Sequence, residues 1–458
     1  MNFLASDALR GRGSGTSDEL VAATYVGSQL EQYGVEPAGD NGSYLQRAVV
    51  EQQTITAPPQ LHFMTPGDGI PAQSIRWTHG KEMLILSLAA VNFKGPLKRV
   101  DTDRGGPSFN QTAFTRSSGQ GATSPQTTPP GAVVLVLGKD RKKLQATALA
   151  AVKSGAIAVL APASPETLRA WDERAKELPT LPKKLENSTA EPALAAHSPN
   201  FFALSDEAMQ SLNGIPDGTT FYFEATATPP EKTFTWNAVG RITGSDPALR
   251  DSAILLSAHL DHLGIGPAAN GETIYHGADD DASGTVAVLE LARALASGPK
   301  PKRTVVFALF GSEEEGGLGS GWFQQNPPLP LAEIAANLEF EMIGRPDPKY
   351  PGDSLWFSGW ERSNLGPTLA AHGAKLVADA RPSEHFFQRS DNYVLAKKGV
   401  VAQTASSFGL HADYHRPSDD LAHIDFPHMT TVISSLIPPI EWLVNSRFKP
   451  EWKPGGKP

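Results

Sequence analysis

The chain has 458 residues, enough for two domains that each bury a core, and its 40% hydrophobic and 19% charged content is that of a globular protein. A net charge of −9 with no Lys/Arg-rich run argues against a nucleic-acid partner. The absence of cysteine excludes disulfides, thiolate nucleophiles and Cys-type zinc sites, and no apolar run is long enough to span a bilayer.

Met1-Asn2-Phe3-Leu4 leads straight into sequence expected to fold, with no leader pattern. A secreted or periplasmic location is expected if a leader has been trimmed, and a cytoplasmic one otherwise. Asp18 to Tyr33 has helical periodicity, stopped by Gly34 with Pro37 just beyond. Residues 101–130 are dense in Gly, Ser, Thr, Pro and Gln and read as a long exposed loop. A short strand (132–137), a helix (143–154) and a second strand (156–160) follow, then a Lys/Glu/Pro-rich stretch to about Pro199.

From about Asn237 the rhythm changes to alternating strands and helices. Residues 253–258, 304–310, 336–343, 355–357 and 400–405 read as buried strands, rich in β-branched and apolar side chains. A helix is expected over 282–297, started by Ser283 or Asp281 and stopped by Gly298-Pro299. A last helix over 429–448 is expected to kink or break at Pro438-Pro439. This pattern predicts an α/β fold, a mostly parallel sheet flanked by helices on both faces, with a smaller inserted α/β domain. The expected division is a discontinuous main domain of residues 1–84 and 233–448, an insert of residues 85–232 and a tail of residues 449–458.

Five segments place His, Asp and Glu at or just beyond predicted strand ends, where open α/β sheets bind ligands. In Ala258-His259-Leu260-Asp261-His262, His259 follows a strand and Asp261 stands where it can hold the ring's other nitrogen. Asp279-Asp280-Asp281 opens a helix; such acids complement the helix dipole, and a divalent cation removes their mutual repulsion. Glu313-Glu314-Glu315 follows an apolar strand, either as a solvated turn or as a pair dividing labour between metal binding and proton transfer. Glu339 and Glu341 share one face of a core-like strand, where an unpaired carboxylate is costly. Tyr414-His415 lies in a loop after the last strand.

Taken in this order, HLD, DDDASG, EEEGGLGS, EMIG and YH resemble the pattern of co-catalytic zinc peptidases of the bacterial leucyl aminopeptidase and glutamate carboxypeptidase type. The match spans about residues 237–425, and Phe3–Gly13 (FLASDALRGRG) looks like that family's N-terminal segment. The resemblance implies two Zn²⁺ ions per chain and a peptide substrate. By position, His259 and Glu341 are implied ligands of one ion, Glu314 and His415 of the other, and Asp280 the bridge between them. Glu313 is implied as general base, Asp261 as the partner of His259, and Tyr414 as a stabiliser of the oxyanion. One departure is that Glu341 stands where the family usually has Asp, one methylene shorter.

The insert resembles a protease-associated domain, a module that covers or restricts access to the active site. The implied activity is that of an aminopeptidase. A carboxypeptidase or dipeptidase would instead need a cation such as Arg345, Arg362, Arg381 or Arg389 for the substrate carboxylate. A glutaminyl cyclase-like enzyme and an inactive binding homologue complete the alternatives. Loops 383–391 and 406–411 are expected to line the pocket, and the oligomeric state is not written in the sequence.

Overall fold

The structure, a computed structural model, describes residues 1–64, 74–103, 130–186, 200–350 and 352–458. The expected long loop at 101–130 and the stretch approaching Pro199 fall largely outside these residues. The chain divides into two compact units. One is formed by Met1–Glu51, Lys184–Ala196 and Lys232–Pro458, the other by Gln52–Lys183 and His197–Glu231.

The first unit is built on a ten-stranded sheet. Its centre is four parallel strands in the order Val401–Ser406, Ile334–Phe340, Ala253–His259 and Val305–Phe310. These are the β-branched and apolar runs of the sequence, and every residue of Ala253–His259 and Val305–Phe310 is buried, as a parallel sheet covered on both sides requires. Outside this centre the sheet is mixed. Leu355–Phe357 and Glu231–Ile242 pair antiparallel with its two edges, and beyond the centre parallel pairing recurs between Leu355–Phe357 and Leu376–Ala378.

Alternation along the strands sends side chains to two cores. Ile254, Leu256, Phe307 and Leu309 pack with residues of helices Ser17–Gln32, Gly284–Ser297 and Phe426–Asn445. Leu255, Val306, Ala308 and Phe310 pack with Phe323 of helix Leu318–Gln325 and with Leu395 and Ala396 of helix Asn392–Lys398. Helices therefore cover both faces, as expected. Thr16 caps the first helix, its side chain accepting from the backbone of Asp18 and Glu19. The last helix is one continuous run of 20 residues through Pro438 and Pro439, so of the kink or break expected there the break does not occur. Nor are residues 449–458 a loose tail: Trp452 packs against both cores, and its Nε1 donates to Gly399 O at 3.1 Å.

The second unit has an eight-stranded sheet. Asn92–Asp101, Val133–Leu137, Ala158–Pro162 and Asn200–Leu204 run parallel in that order, and the helix Arg141–Lys153 crosses between the middle two. The unit begins at Gln52, well before the expected residue 85. The physical reason is pairing. Gln60–Met64 joins Thr220–Glu224 and Ser74–Thr78, and this pairing directs Leu61, Phe63 and Trp77 into the second unit's core.

Candidate metal centre and active site

The candidate residues converge at the carboxyl ends of the central strands in the first unit. His259 is the last residue of its strand and wholly buried. Its Nε2 lies 3.1 Å from Asp280 Oδ1. The other oxygen, Asp280 Oδ2, lies 3.3 Å from His415 Nε2, and that nitrogen is 3.2 Å from Glu314 Oε2. Asp280 thus stands between two histidines, one oxygen toward each. Glu313, Glu314, Glu341 and Asp280 line one cavity together with Arg389, Thr404, Ser406, Tyr414 and the apolar Met342, Trp356, Phe386 and Phe408. Loops 383–391 and 406–411 contribute to that wall, as the sequence led one to expect.

Local structure explains why only the middle acid of the triplet faces the centre. Asp279 accepts from Gly344 N at 2.7 Å and sits 3.0 Å from His411 Nε2. Asp281 accepts from Met342 N at 2.9 Å, from Gly284 N at 3.0 Å and from His259 N at 3.3 Å. Both flanking carboxylates are consumed by backbone donors of the surrounding strand ends, which leaves Asp280 to the histidines.

Asp261 lies beside His259, where it was expected, and holds a second element as well. Its contact with His259 Nδ1 is 3.5 Å. The carboxylate also accepts from Glu313 N at 3.0 Å and Glu314 N at 3.4 Å, and from Ser14 Oγ. It therefore fixes the turn that carries Glu313 and Glu314. Glu19 supports the same turn from the first helix, accepting from Ser312 Oγ at 3.2 Å and from Trp236 N at 3.0 Å. Tyr414 stacks on His415 with ring centroids 3.8 Å apart.

Burial dominates the electrostatics. It raises Glu313 well above the usual carboxylate range; His259 opposes the shift, and Asp391, Glu341 and Glu314 reinforce it. Burial likewise raises Glu341 and pushes Asp391 up to about 7. Burial would also raise Asp280, but His259 and His415 hold it well below the normal range. For His415, burial works to lower the pKa, and contact with Asp280 and Glu314 overrides it to reach about 10.

The donor set fits a divalent cation. Glu314 Oε1 and His415 Nε2 are buried without a hydrogen-bond partner among the described residues, a costly condition that a cation relieves. Histidine and carboxylate donors without cysteine suit zinc. His262, Asp280 and Glu314 each offer a ligand atom within 4.8 Å of the others.

Sequence reasoning missed two contributors. His262 is fully buried beside Glu314, with Nδ1 2.8 Å from Oε1. Arg12 is wholly buried in the N-terminal segment. It donates to the carbonyls of Leu260 (2.9 Å), Leu4 and His276 (2.7 Å each) and Gly277 (2.9 Å). Glu339, which the sequence pairs with Glu341 on one strand face, accepts from Asn392 N. Only for Arg12 was there a signal, its place in the FLASDALRGRG segment. Of the four arginines considered as carboxylate anchors, Arg345 pairs with Asp413 at 2.8 Å, Arg381 pairs with Asp347, and Arg362 donates to Gly456 O at 3.1 Å. Arg389 lines the cavity.

A family model described as peptidase family M28 matches residues 237–437. Among curated proteins, a probable lipoprotein aminopeptidase of Mycobacterium tuberculosis is 35% identical over 205 residues, 38% of this chain and 39% of that protein. The leupeptin-inactivating enzyme 1 of Streptomyces exfoliatus is 34% identical over 117 residues, 25% of this chain and 24% of that protein. The chain thus spans well under half the length of these curated relatives. A solved aminopeptidase from Aneurinibacillus sp. strain AM-1 shares the fold, with a TM-score of 0.53 at 16% identity, covering 99% of this chain and 94% of that one. Among the described residues no helix is long and apolar enough to cross a membrane.

Proposed function

We propose, from the match of residues 237–437 to peptidase family M28, that the chain is a two-zinc aminopeptidase that removes single residues from peptide N-termini. His259 and Glu341 would hold one ion, Glu314 and His415 the other, with Asp280 shared between them. Zinc bound there supplies Lewis acidity, making water more acidic and polarising the scissile carbonyl. Glu313, free of the ligand role given to Glu314, accepts the attacking water's proton on its carboxylate and returns it to the leaving amine. Tyr414 stands at the cavity wall, where its hydroxyl can face a developing oxyanion.

The observation that carries the aminopeptidase reading is the match of the site-bearing residues 237–437 to peptidase family M28, with a probable lipoprotein aminopeptidase among the relatives. The cavity wall sets Asp280, Glu313, Glu314 and Glu341 beside Arg389, and two dications would balance the four carboxylates, so the wall's charge alone does not choose between a substrate ammonium and a substrate carboxylate. Arg389 is the one feature that favours a carboxypeptidase or dipeptidase. The second unit contributes none of the proposed ligands, and we read it as a protease-associated domain acting in substrate selection. The test is a panel of aminoacyl-p-nitroanilides assayed beside N-blocked dipeptides, with and without a chelator. Chelator-sensitive cleavage of the free-amine anilides alone is expected. Cleavage confined to the N-blocked dipeptides would transfer the role to Arg389.

A further inference from the structure

We propose that His262 supplies, through Nδ1, a further imidazole ligand to the cation held by Asp280, Glu314 and His415. The inference rests on the zinc peptidase reading and adds a residue that the resemblance does not assign. His262 is fully buried, and neither ring nitrogen has a hydrogen-bond partner among the described residues. Its Nδ1 lies 2.8 Å from Glu314 Oε1 and 3.8 Å from Asp280 Oδ2. Yet Glu314 Oε1 is also without a hydrogen bond, so two orphaned atoms sit side by side without the direction an N–H···O bond needs. His415 Nε2 is in the same condition, 3.3 Å from Asp280 Oδ2 and 3.2 Å from Glu314 Oε2. Donor atoms that crowd together without bonding one another form the kind of cluster a shared cation stabilises.

The ring is also held in place. His262 N donates to Arg12 O at 3.1 Å, and its carbonyl accepts from Ser14 N at 3.2 Å. On the ring's flank Gly277, with φ +57°, presses close. A Cβ there would come within 2.5 Å of His262 Cγ and 2.6 Å of Cδ2. On that flank the backbone of Gly277 leaves the imidazole no spare space. Leaving a buried nitrogen unpaired is costly, and coordination through Nδ1 removes that cost there.

The full chain loaded with cobalt in place of zinc gives the test, because each ligating imidazole places one exchangeable ring N–H in the paramagnetically shifted region of the proton spectrum. One such signal each is expected from His259, His262 and His415 in the wild-type protein. His262→Asn keeps an N–H donor near the Nδ1 position but offers no metal-binding nitrogen. It should lose one shifted signal and bind zinc roughly 100-fold more weakly or worse, at or beyond the top of the 10–100-fold range that loss of an outer hydrogen bond costs. His262→Ala should match it. Wild-type protein showing signals from His259 and His415 alone overturns the proposal without needing a variant. So does zinc affinity retained in His262→Asn and lost in His262→Ala, which makes His262 a hydrogen-bond donor to Glu314. A chain that binds no metal at all would instead sink the peptidase reading itself.

Discussion

The two units bury different chemistry under similar sheets. In the unit starting at Gln52 the core is aromatic: Phe63 stacks on Phe221 at 4.3 Å between ring centroids, Phe93 stacks on Phe223 at 4.8 Å, and Trp77 and Phe202 close the gaps. Its one buried ionisable side chain among the described residues is His79, and both ring nitrogens are engaged, by Ile85 N and Glu177 O. The other unit buries Arg12, Glu19, His259, Asp261, His262, Asp279, Asp280, Asp281, Glu339, Asp391 and Asp419 around the strand ends. Burying an ionisable group costs free energy unless it is paired or metal-bound. A sheet that carries eleven of them at one end, several unpartnered, is therefore organised for a ligand rather than for stability. The aromatic sheet has no such debt.

The most severe way to break this comparison is Asp280→Asn, which keeps the size of the bridging side chain and removes its charge. Both ions should weaken together and turnover fall roughly 10³-fold or more, well past the effect of an outer contact. Zinc titration checks it. Two full equivalents at unchanged affinity would hand the bridge to Asp279 or Asp281, although backbone donors already occupy both.

Glu313→Gln comes next. The amide keeps the shape but cannot accept the water's proton, so kcat should drop roughly 10²–10⁴-fold with zinc content and KM little changed. Glu314→Gln should lose zinc first and activity as a consequence. The reverse pattern in metal content would shift the register of both roles along the chain.

How far the sequence reveals this difference depends on the kind of signal each residue carries. The central strands are continuous apolar runs, so their ends, and with them His259, Glu313 and Glu341, are visible directly. Asp280 is distinguished from its neighbours only by hydrogen bonds to Gly344, Met342 and Gly284, contacts that no local pattern encodes. His262 lies beyond the end of its strand, where alternation no longer says which way a side chain points. The early start of the second unit is hidden for a related reason. Gln60–Met64 and Ser74–Thr78 are five-residue strands whose partner, Thr220–Glu224, arrives far downstream. Pairing at that separation leaves no periodic trace in the sequence.

A subtler effect is expected at Arg12, the charged residue that binds four carbonyls on both sides of the centre. Lysine keeps the charge, but its compact ammonium cannot span Leu4, Leu260, His276 and Gly277 together. Arg12→Lys should weaken zinc about 10–100-fold by loosening the segments that present His259 and Asp280, a size typical of outer contacts. A lowered melting temperature with zinc affinity intact would reduce Arg12 to a staple of the N-terminal segment.

The smallest effect on chemistry is expected from the largest cut in the aromatic core. Phe221 is fully buried between Phe63 and Trp77, so Phe221→Ala should cost its unit roughly 3–5 kcal/mol through lost burial and the cavity left behind. Every proposed zinc ligand lies in the other unit, on strands and loops whose hydrogen bonds do not include this side chain. Zinc stoichiometry and turnover of a small aminoacyl anilide should therefore stay within about twofold of the wild type, inside the scatter of ordinary surface changes. Thermal unfolding should show one transition moved to lower temperature and a second, zinc-sensitive one left in place. If the zinc-sensitive transition moves with the first, the two sheets unfold as one cooperative body. The aromatic core would then support the metal centre, and the contrast between the units would be one of composition rather than of task.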